Sequence, residues 1–200
     1  MAAPLDFYFD FSSPYGYFAA TKIDALAARY ERSVAWKPVL LGAVFKVTGG
    51  APLPTLPLKG EYAMRDIERS ARFHGIAYKP PAKFPIASQA PARVFYWLHT
   101  QDPQRAKELA LALYRAYFAE NRDISSPGVT ADIAAARGLN RDEIVAAIND
   151  AAIKDTLRRE VDAAIARGVF GSPYIVIDGE PFWGFDRFDQ LERWLAKGPF

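Results

Sequence analysis

Near its start the chain alternates between apolar and more polar side chains. One face of the alternation carries only apolar residues: Leu5, Phe7, Phe9 and Phe11. A period of two is typical of a β-strand. Ser13, a preferred N-cap residue, and Pro14, which suits the first helical position, follow directly, so we predict that a helix begins there.

Helical spacing continues through the next apolar positions, Ile23, Leu26, Ala27 and Tyr30, and we expect the first helix to reach about Tyr30. A second strand is predicted near Val34 to Leu41. A strand, a helix and a second strand within forty residues indicate a βαβ unit with a parallel pair and a right-handed crossover.

Residues 42–60 contain several prolines and glycines and are predicted to form a boundary and an ordered loop, because the prolines of the run from Pro52 to Gly60 lack backbone donors. From Glu61 to Gly168 the pattern is mainly helical. Strand-like sequence returns over Val169 to Asp178, and Asp178-Gly179 is a hairpin signal that leads into Glu180 to Trp183. A final helix follows, with Asp186 as its expected N-cap.

This order predicts an α/β fold: a thioredoxin-like, four-stranded mixed sheet that is interrupted by a large α-helical insertion domain. Residues 1–42 and 168–200 are assigned to the thioredoxin-like domain, and residues 43–167 to the helical insertion domain.

Composition narrows the possible chemistry. Half of the 200 residues are hydrophobic, enough for a substantial core, and the net charge of +2 from 25 basic and 23 acidic residues gives no reason to expect a nucleic-acid partner. The chain contains no cysteine, which excludes disulfides, thiolate metal ligands and a cysteine nucleophile, so any thiol chemistry must use a thiol from another molecule.

No apolar run approaches the roughly 20 residues of a membrane span, and we expect a cytoplasmic protein without a membrane partner.

Ser13 is the first candidate for a functional residue. A serine hydroxyl and unpaired N–H groups at a helix N-terminus suit a small anion, although a serine before proline is more often only an N-cap. Ser12 could share this role, but strand alternation points it away from Ser13. His74 and His99 lie in helical segments without the spacing of a metal site or a catalytic motif, so we expect no metal site.

Four segments carry a family resemblance: Phe9-Asp10-Phe11-Ser12-Ser13-Pro14-Tyr15, Pro57-Leu58-Lys59-Gly60-Glu61-Tyr62 with Asp66 following, Phe170-Gly171-Ser172-Pro173, and Trp183-Gly184-Phe185-Asp186-Arg187. In this order they resemble the kappa-class glutathione transferases and the 2-hydroxychromene-2-carboxylate isomerases, which share an interrupted thioredoxin architecture with the DsbA oxidoreductases. The resemblance spans almost the whole chain.

The resemblance implies that glutathione is bound as a cofactor with its sulfur beside Ser13, where DsbA relatives carry the first cysteine of C-x-x-C. A hydroxyl donor favours the thiolate form of a thiol but cannot form a disulfide with it. The resemblance further implies that Pro173 is a cis proline and that the backbone of Ser172 pairs with the cysteinyl part of glutathione.

Further contacts are implied less directly. Asp186 matches an aspartate near the γ-glutamyl ammonium, Phe185 stands where the family often has serine or asparagine, and Trp183 either stacks on the ligand or packs on the sheet. Lys59 matches a lysine suited to the glycyl carboxylate. On the substrate side, Lys46 aligns with a lysine of the isomerases, and Phe84 stands at the position of their pocket tyrosine.

The leading hypothesis is therefore a glutathione-dependent isomerase of the 2-hydroxychromene-2-carboxylate type, acting on a small aromatic carboxylate and recycling its glutathione. A kappa-like transferase that consumes glutathione, and a glutathione-binding protein without catalysis, are the alternatives. Relatives are commonly dimers, so a homodimer is expected.

Overall fold

Four strands form one mixed sheet in the computed structural model, which describes residues 3–200. In the order β2-β1-β3-β4, the sheet contains β1 (Leu5–Phe9), β2 (Val34–Pro38), β3 (Tyr174–Ile177) and β4 (Glu180–Trp183). β1 runs parallel to β2 and antiparallel to β3, and β4 pairs antiparallel with β3. The predicted mixed sheet is confirmed.

Helices cover both faces of the sheet. Those of the described residues are α1 (Pro14–Ala20), α2 (Ile23–Ala28), α3 (Leu41–Thr48), α4 (Lys59–Phe73), α5 (Gln89–His99), α6 (Pro103–Phe118), α7 (Pro127–Ala135), α8 (Arg141–Asn149), α9 (Ala151–Ala166) and α10 (Phe188–Lys197). Short 3-10 helices lie at Leu53–Thr55 and Phe185–Arg187. α4 to α9 fall within the predicted insertion, whose boundaries stay a prediction.

The main core is continuous from the sheet into the helices. Phe9 of β1 is fully buried, and its ring centroid lies 5.9 Å from that of Phe95 on α5 and 5.8 Å from that of Tyr114 on α6. On the opposite face, Tyr8 packs against Tyr174 in a smaller cluster with Ala164 of α9. Since both faces of β1 are covered, Tyr8 is buried and Asp6 is only partly exposed.

The first helix is shorter than predicted. It ends at Ala20, where the Thr21 hydroxyl donates a 2.7 Å hydrogen bond to the Phe18 carbonyl, and Lys22 leaves the helical conformation before α2 begins. The second strand likewise ends at Pro38 rather than near Leu41.

Three further predictions of local structure were partly wrong. Residues 41–48 form α3, which ends at Gly49 in the left-handed region, so the loop begins later than expected. Strand structure between Val169 and Asp178 is confined to β3, because the Val169 N–H still donates to a carbonyl of α9. Asp186 lies inside a 3-10 helix and does not cap α10, which begins two residues later.

Candidate functional site

Ser13 connects the start of α1 to the other end of the chain. Its hydroxyl oxygen accepts a 3.0 Å hydrogen bond from the Gly16 N–H, so the predicted N-cap is confirmed. The same hydroxyl donates a 2.9 Å hydrogen bond to the backbone carbonyl of Ser172. Ser13 is only 5% exposed, so it lies just below the surface and its hydroxyl is held by partners on both sides.

The segment before β3 faces Ser13. The Ser172–Pro173 peptide bond is cis, as the resemblance implied. The Ser172 hydroxyl oxygen accepts a 2.9 Å hydrogen bond from the Asp10 N–H at the end of β1, and the Pro173 carbonyl accepts one from the Gly184 N–H. The loop is therefore fixed at its backbone and at the Ser172 side chain.

A buried carboxylate lies under this junction. Asp10 is 2% exposed, and its two carboxyl oxygens accept hydrogen bonds from the backbone N–H groups of Ser12, at 2.7 Å, and Leu41, at 2.6 Å. Burial raises the pKa of the Asp10 carboxyl above its ordinary value, while these hydrogen bonds act in the opposite direction. Asp10 thereby ties the loop that carries Ser13 to the start of α3.

A cavity of about 570 Å³ opens beside this junction, within the usual range for small-molecule sites. One wall is a stripe along α4 at a spacing of four residues: Tyr62, Asp66, Ser70 and His74, the last of which caps the helix. The opposite wall runs from the Ser172–Pro173 loop to the end of β4 and the 3-10 helix, with Trp183, Gly184, Phe185, Asp186 and Arg187. A peptide-sized ligand can lie between the two walls.

Tyr15 lines the cavity at the end nearest Ser13 and joins α1 to the wall formed by α4. Its hydroxyl donates to a carboxyl oxygen of Asp66, whose other oxygen pairs with Arg69, and Arg69 in turn donates to the Tyr62 hydroxyl. Burial, followed by the contact with Asp66, raises the pKa of Tyr15, so its hydroxyl stays protonated at neutral pH. This network holds α4 against the start of α1.

Trp183 forms the outer wall through close packing on a glycine. A Cβ atom at Gly171 would lie 2.2 Å from the Trp183 indole nitrogen, so only glycine permits this approach. The ring centroid of Trp183 lies 4.9 Å from that of Phe170. Because the indole remains 55% exposed, its other surface is available to a ligand.

The cavity brings together five of the residues named from the sequence: Ser172, Pro173, Trp183, Phe185 and Asp186. Ser13 lies directly behind Ser172. The Asp186 carboxylate is largely exposed and forms a 2.8 Å ion pair with Arg187, while Phe185 is buried beneath it.

Three other candidates lie outside the cavity lining. Lys59 is the exposed first residue of α4, and Lys46 is exposed on α3. Phe84 is half-buried and packs edge to face on Phe118, with ring centroids 6.3 Å apart. The roles assigned to these residues stay predictions.

Ser12 has a different contact from its neighbour. Its hydroxyl oxygen accepts a 3.0 Å hydrogen bond from the Ile86 N–H, next to the cis Phe84–Pro85 bond. The predicted divergence of the two serines is confirmed, because Ser13 contacts the Ser172 loop and Ser12 contacts the loop of Phe84.

Sequence reasoning missed the wall formed by α4. The segments that carry the resemblance include Tyr15 and Asp66 without assigning them a role, and Ser70 lies outside those segments. The spacing Tyr62, Asp66, Ser70, His74 was a usable signal, since residues four apart share one face of a helix and none of these is aliphatic.

Within residues 3–200, the structure shows no group of three His, Asp or Glu side chains that could hold a metal ion, and no helix that is long and apolar enough to cross a membrane.

Comparisons with known proteins agree with this architecture. Residues 4–196 match the family model of the DSBA-like thioredoxin domain. The chain is 28% identical to glutathione S-transferase kappa 2 of Caenorhabditis elegans, over 96% of this chain and 93% of that protein. It is 29% identical to a 2-hydroxychromene-2-carboxylate isomerase of Sphingobium xenophagum, over 98% and 99% of the two chains.

A solved structure of a 2-hydroxychromene-2-carboxylate isomerase superposes with a TM-score of 0.87 at 27% identity, over 96% of this chain and 94% of that one. The predicted thioredoxin-like α/β fold and the resemblance stated from the sequence are both confirmed. With a family model that covers almost its entire length, the chain belongs to the family of DSBA-like thioredoxin domains.

Proposed function

We propose that this protein is a glutathione-dependent isomerase of the 2-hydroxychromene-2-carboxylate type. The observation that carries the proposal is the contact of the Ser13 hydroxyl with the carbonyl before the cis proline, beside a peptide-sized cavity, in a chain without cysteine. Relatives that match nearly full length are named as isomerases of this type or as kappa glutathione transferases, which supports the same assignment.

The volume and the lining of the cavity support glutathione as its ligand. We assign the Ser172 backbone to the cysteinyl part of the tripeptide, as an added strand would pair, and Asp186 to the γ-glutamyl ammonium. Trp183 offers an exposed aromatic surface to the peptide. Lys59, at the exposed start of α4, is assigned to the glycyl carboxylate.

Ser13 is the residue that we assign to the sulfur. When bound, glutathione supplies a thiolate that adds reversibly to the conjugated system of the substrate. The addition turns a double bond into a single bond that rotates freely, and elimination of the thiolate then restores the double bond. The Ser13 hydroxyl stabilises the thiolate by turning its one hydrogen from the Ser172 carbonyl to the sulfur, while the Gly16 N–H, which donates to the Ser13 oxygen, keeps that oxygen in place. The Tyr15 N–H makes no hydrogen bond within the described residues 3–200, so it is available as a second donor.

A small aromatic carboxylate is the substrate class that we propose. Lys46 would hold its carboxylate from α3, which begins at the N–H group bound by Asp10. Phe84 would contact the aromatic ring from the loop that Ser12 anchors. Homodimerisation is a further prediction, which light scattering on the purified protein tests.

Stoichiometry tests the proposed reaction against its closest rival. With glutathione far below the concentration of a chromene carboxylate, an isomerase converts many substrate molecules for each glutathione, and the free thiol concentration is unchanged at the end. A kappa-like transferase, which the relative from Caenorhabditis elegans favours, consumes one thiol for each product. Failure of glutathione to bind in calorimetry would exclude both reactions.

A further inference from the structure

His74 is a polar residue of the cavity that the proposed function does not use. It follows the last residue of α4, and its backbone N–H donates to the Ser70 carbonyl, which fixes its position at the far end of the stripe. The imidazole ring centroid lies 4.6 Å from that of Phe185 on the opposite wall, at an interplanar angle of 68°. His74 is exposed and lines the cavity at the end of α4.

The other charged side chains of the cavity, Asp66, Asp186 and Arg187, already have partners. Asp66 is held by Tyr15 and Arg69, and Asp186 is paired with Arg187. In contrast, the His74 imidazole makes no hydrogen bond or ion pair with any part of residues 3–200. An imidazole has at least one N–H donor in either protonation state, so His74 brings an unused donor to this end of the cavity.

Phe185 lies opposite the His74 N–H and provides no side-chain hydrogen bond to a ligand at this end of the cavity. Its ring is 7% exposed and packs against Phe18 and Phe188, so its side chain offers no polar group to a ligand. The residue next to it, Asp186, is the one assigned to the γ-glutamyl ammonium. In that amino acid the carboxylate is attached to the same carbon atom as the ammonium, so both groups must be accommodated around Phe185 and Asp186.

We propose that His74 binds the α-carboxylate of the γ-glutamyl group of glutathione and is thereby a specificity-determining residue of the cavity. The inference rests on the proposed use of glutathione. The imidazole N–H donates to the carboxylate, while Asp186 accepts from the ammonium, so α4 and the 3-10 helix recognise the two charges of one amino acid from opposite walls. A ligand that lacks this carboxylate loses the contact.

A double-mutant cycle in calorimetry tests this role. The ligands are glutathione and γ-aminobutyryl-cysteinyl-glycine, in which a hydrogen replaces the α-carboxylate. The protein variants are wild type and His74→Phe, which keeps an aromatic ring against Phe185 and removes the N–H donor. His99→Phe is the matched control, because it makes the same exchange at the end of α5, outside the cavity.

We expect removal of the carboxylate to weaken binding to wild type and to His99→Phe by about five- to tenfold, as for a charge-assisted hydrogen bond that is partly exposed to water. Binding to His74→Phe should be almost insensitive to the carboxylate. Additive effects of the two changes would overturn the role of His74. Arg187→Gln is measured with the same two ligands. If the effect of the carboxylate disappears in Arg187→Gln and not in His74→Phe, Arg187 holds the carboxylate and the role of His74 is wrong.

The cycle also separates this inference from the proposed function. If wild type binds neither ligand, the use of glutathione is wrong and the role of His74 is wrong with it. If wild type binds glutathione but the two changes are additive, only the role of His74 is wrong.

Discussion

The Ser13 hydroxyl donates a 2.9 Å hydrogen bond to the carbonyl of Ser172, across 159 positions of sequence. The acceptor is the same carbonyl that we assign to the cysteinyl part of glutathione. A serine hydroxyl has one hydrogen, so Ser13 must give up this contact to donate to a sulfur, and a backbone N–H of the bound peptide can then take its place on the Ser172 carbonyl. The contact therefore links peptide recognition to stabilisation of the thiolate.

The Ser172 side chain should be needed to hold its own backbone. Ser172→Ala leaves the Asp10 N–H without its acceptor, and we expect a loss of about 1–3 kcal/mol in the free energy of unfolding. Ser172→Thr keeps the hydroxyl and should lose much less. Urea denaturation of both variants measures the difference, and equal losses would show that the hydroxyl has no structural role.

Gly171 should control the position of Trp183. In Gly171→Ala the new methyl group displaces the indole, whose nitrogen lies 2.2 Å from the ideal Cβ position. Because Trp183 is half exposed and can move, we expect a stability loss below about 1 kcal/mol but at least a tenfold weaker affinity for glutathione.

Gly42→Ala is the control for this exchange, since a Cβ at that position of α3 meets no atom within 4 Å apart from adjacent residues and the backbone of its own helix. It should bind glutathione as wild type does. Calorimetry on the two variants checks the prediction, and unchanged affinity in Gly171→Ala would mean that Trp183 does not contact the ligand.

Asp10 should make stability depend on pH. Its pKa is raised in the folded protein, so above the ordinary pKa of 3.8 the folded state retains a proton that the unfolded state has lost. The contribution of Asp10 to the free energy of unfolding is therefore fully present below pH 3.8 and declines as the pH rises through the raised pKa of the folded state. Asp10→Asn removes the titration.

The measurement is the free energy of unfolding from urea denaturation between about pH 4 and 8. We expect Asp10→Asn to be less stable than wild type throughout, because an amide has one acceptor oxygen for the two N–H groups of Ser12 and Leu41. The difference in the free energy of unfolding between wild type and Asp10→Asn should be larger at acidic than at neutral pH. A gap that is constant with pH would contradict ionisation of Asp10 in this range.

Much of the framework around the site could be predicted from the sequence because it depends on local chemistry. The alternation Leu5, Phe7, Phe9, Phe11 identifies β1, and all four side chains are fully buried. Ser13 before Pro14 identifies the start of α1, which the Gly16 N–H bond confirms. Such signals depend on neighbours in sequence.

The remaining features depend on contacts between distant segments. The break after Ala20 depends on a side-chain bond of Thr21 that competes with the helix, which no apolar spacing reports. Nothing near His74 in the sequence indicates a role in the cavity, because its contact with Phe185 joins positions more than a hundred residues apart. Lys46 and Lys59 were named from the resemblance alone, and their side chains lie outside the cavity lining.

The central claim is that Ser13 stabilises the thiolate of bound glutathione, and the pKa of the bound thiol tests it most directly. Ultraviolet absorbance of the thiolate, followed against pH, gives this value for wild type, Ser13→Ala and Ser12→Ala. Ser12 is the matched control, because its hydroxyl accepts from Ile86 on another loop. We predict a thiol pKa well below the ordinary value of about 8.5 in wild type and Ser12→Ala, and a rise of about one to two units in Ser13→Ala. An unchanged thiol pKa in Ser13→Ala would contradict the account.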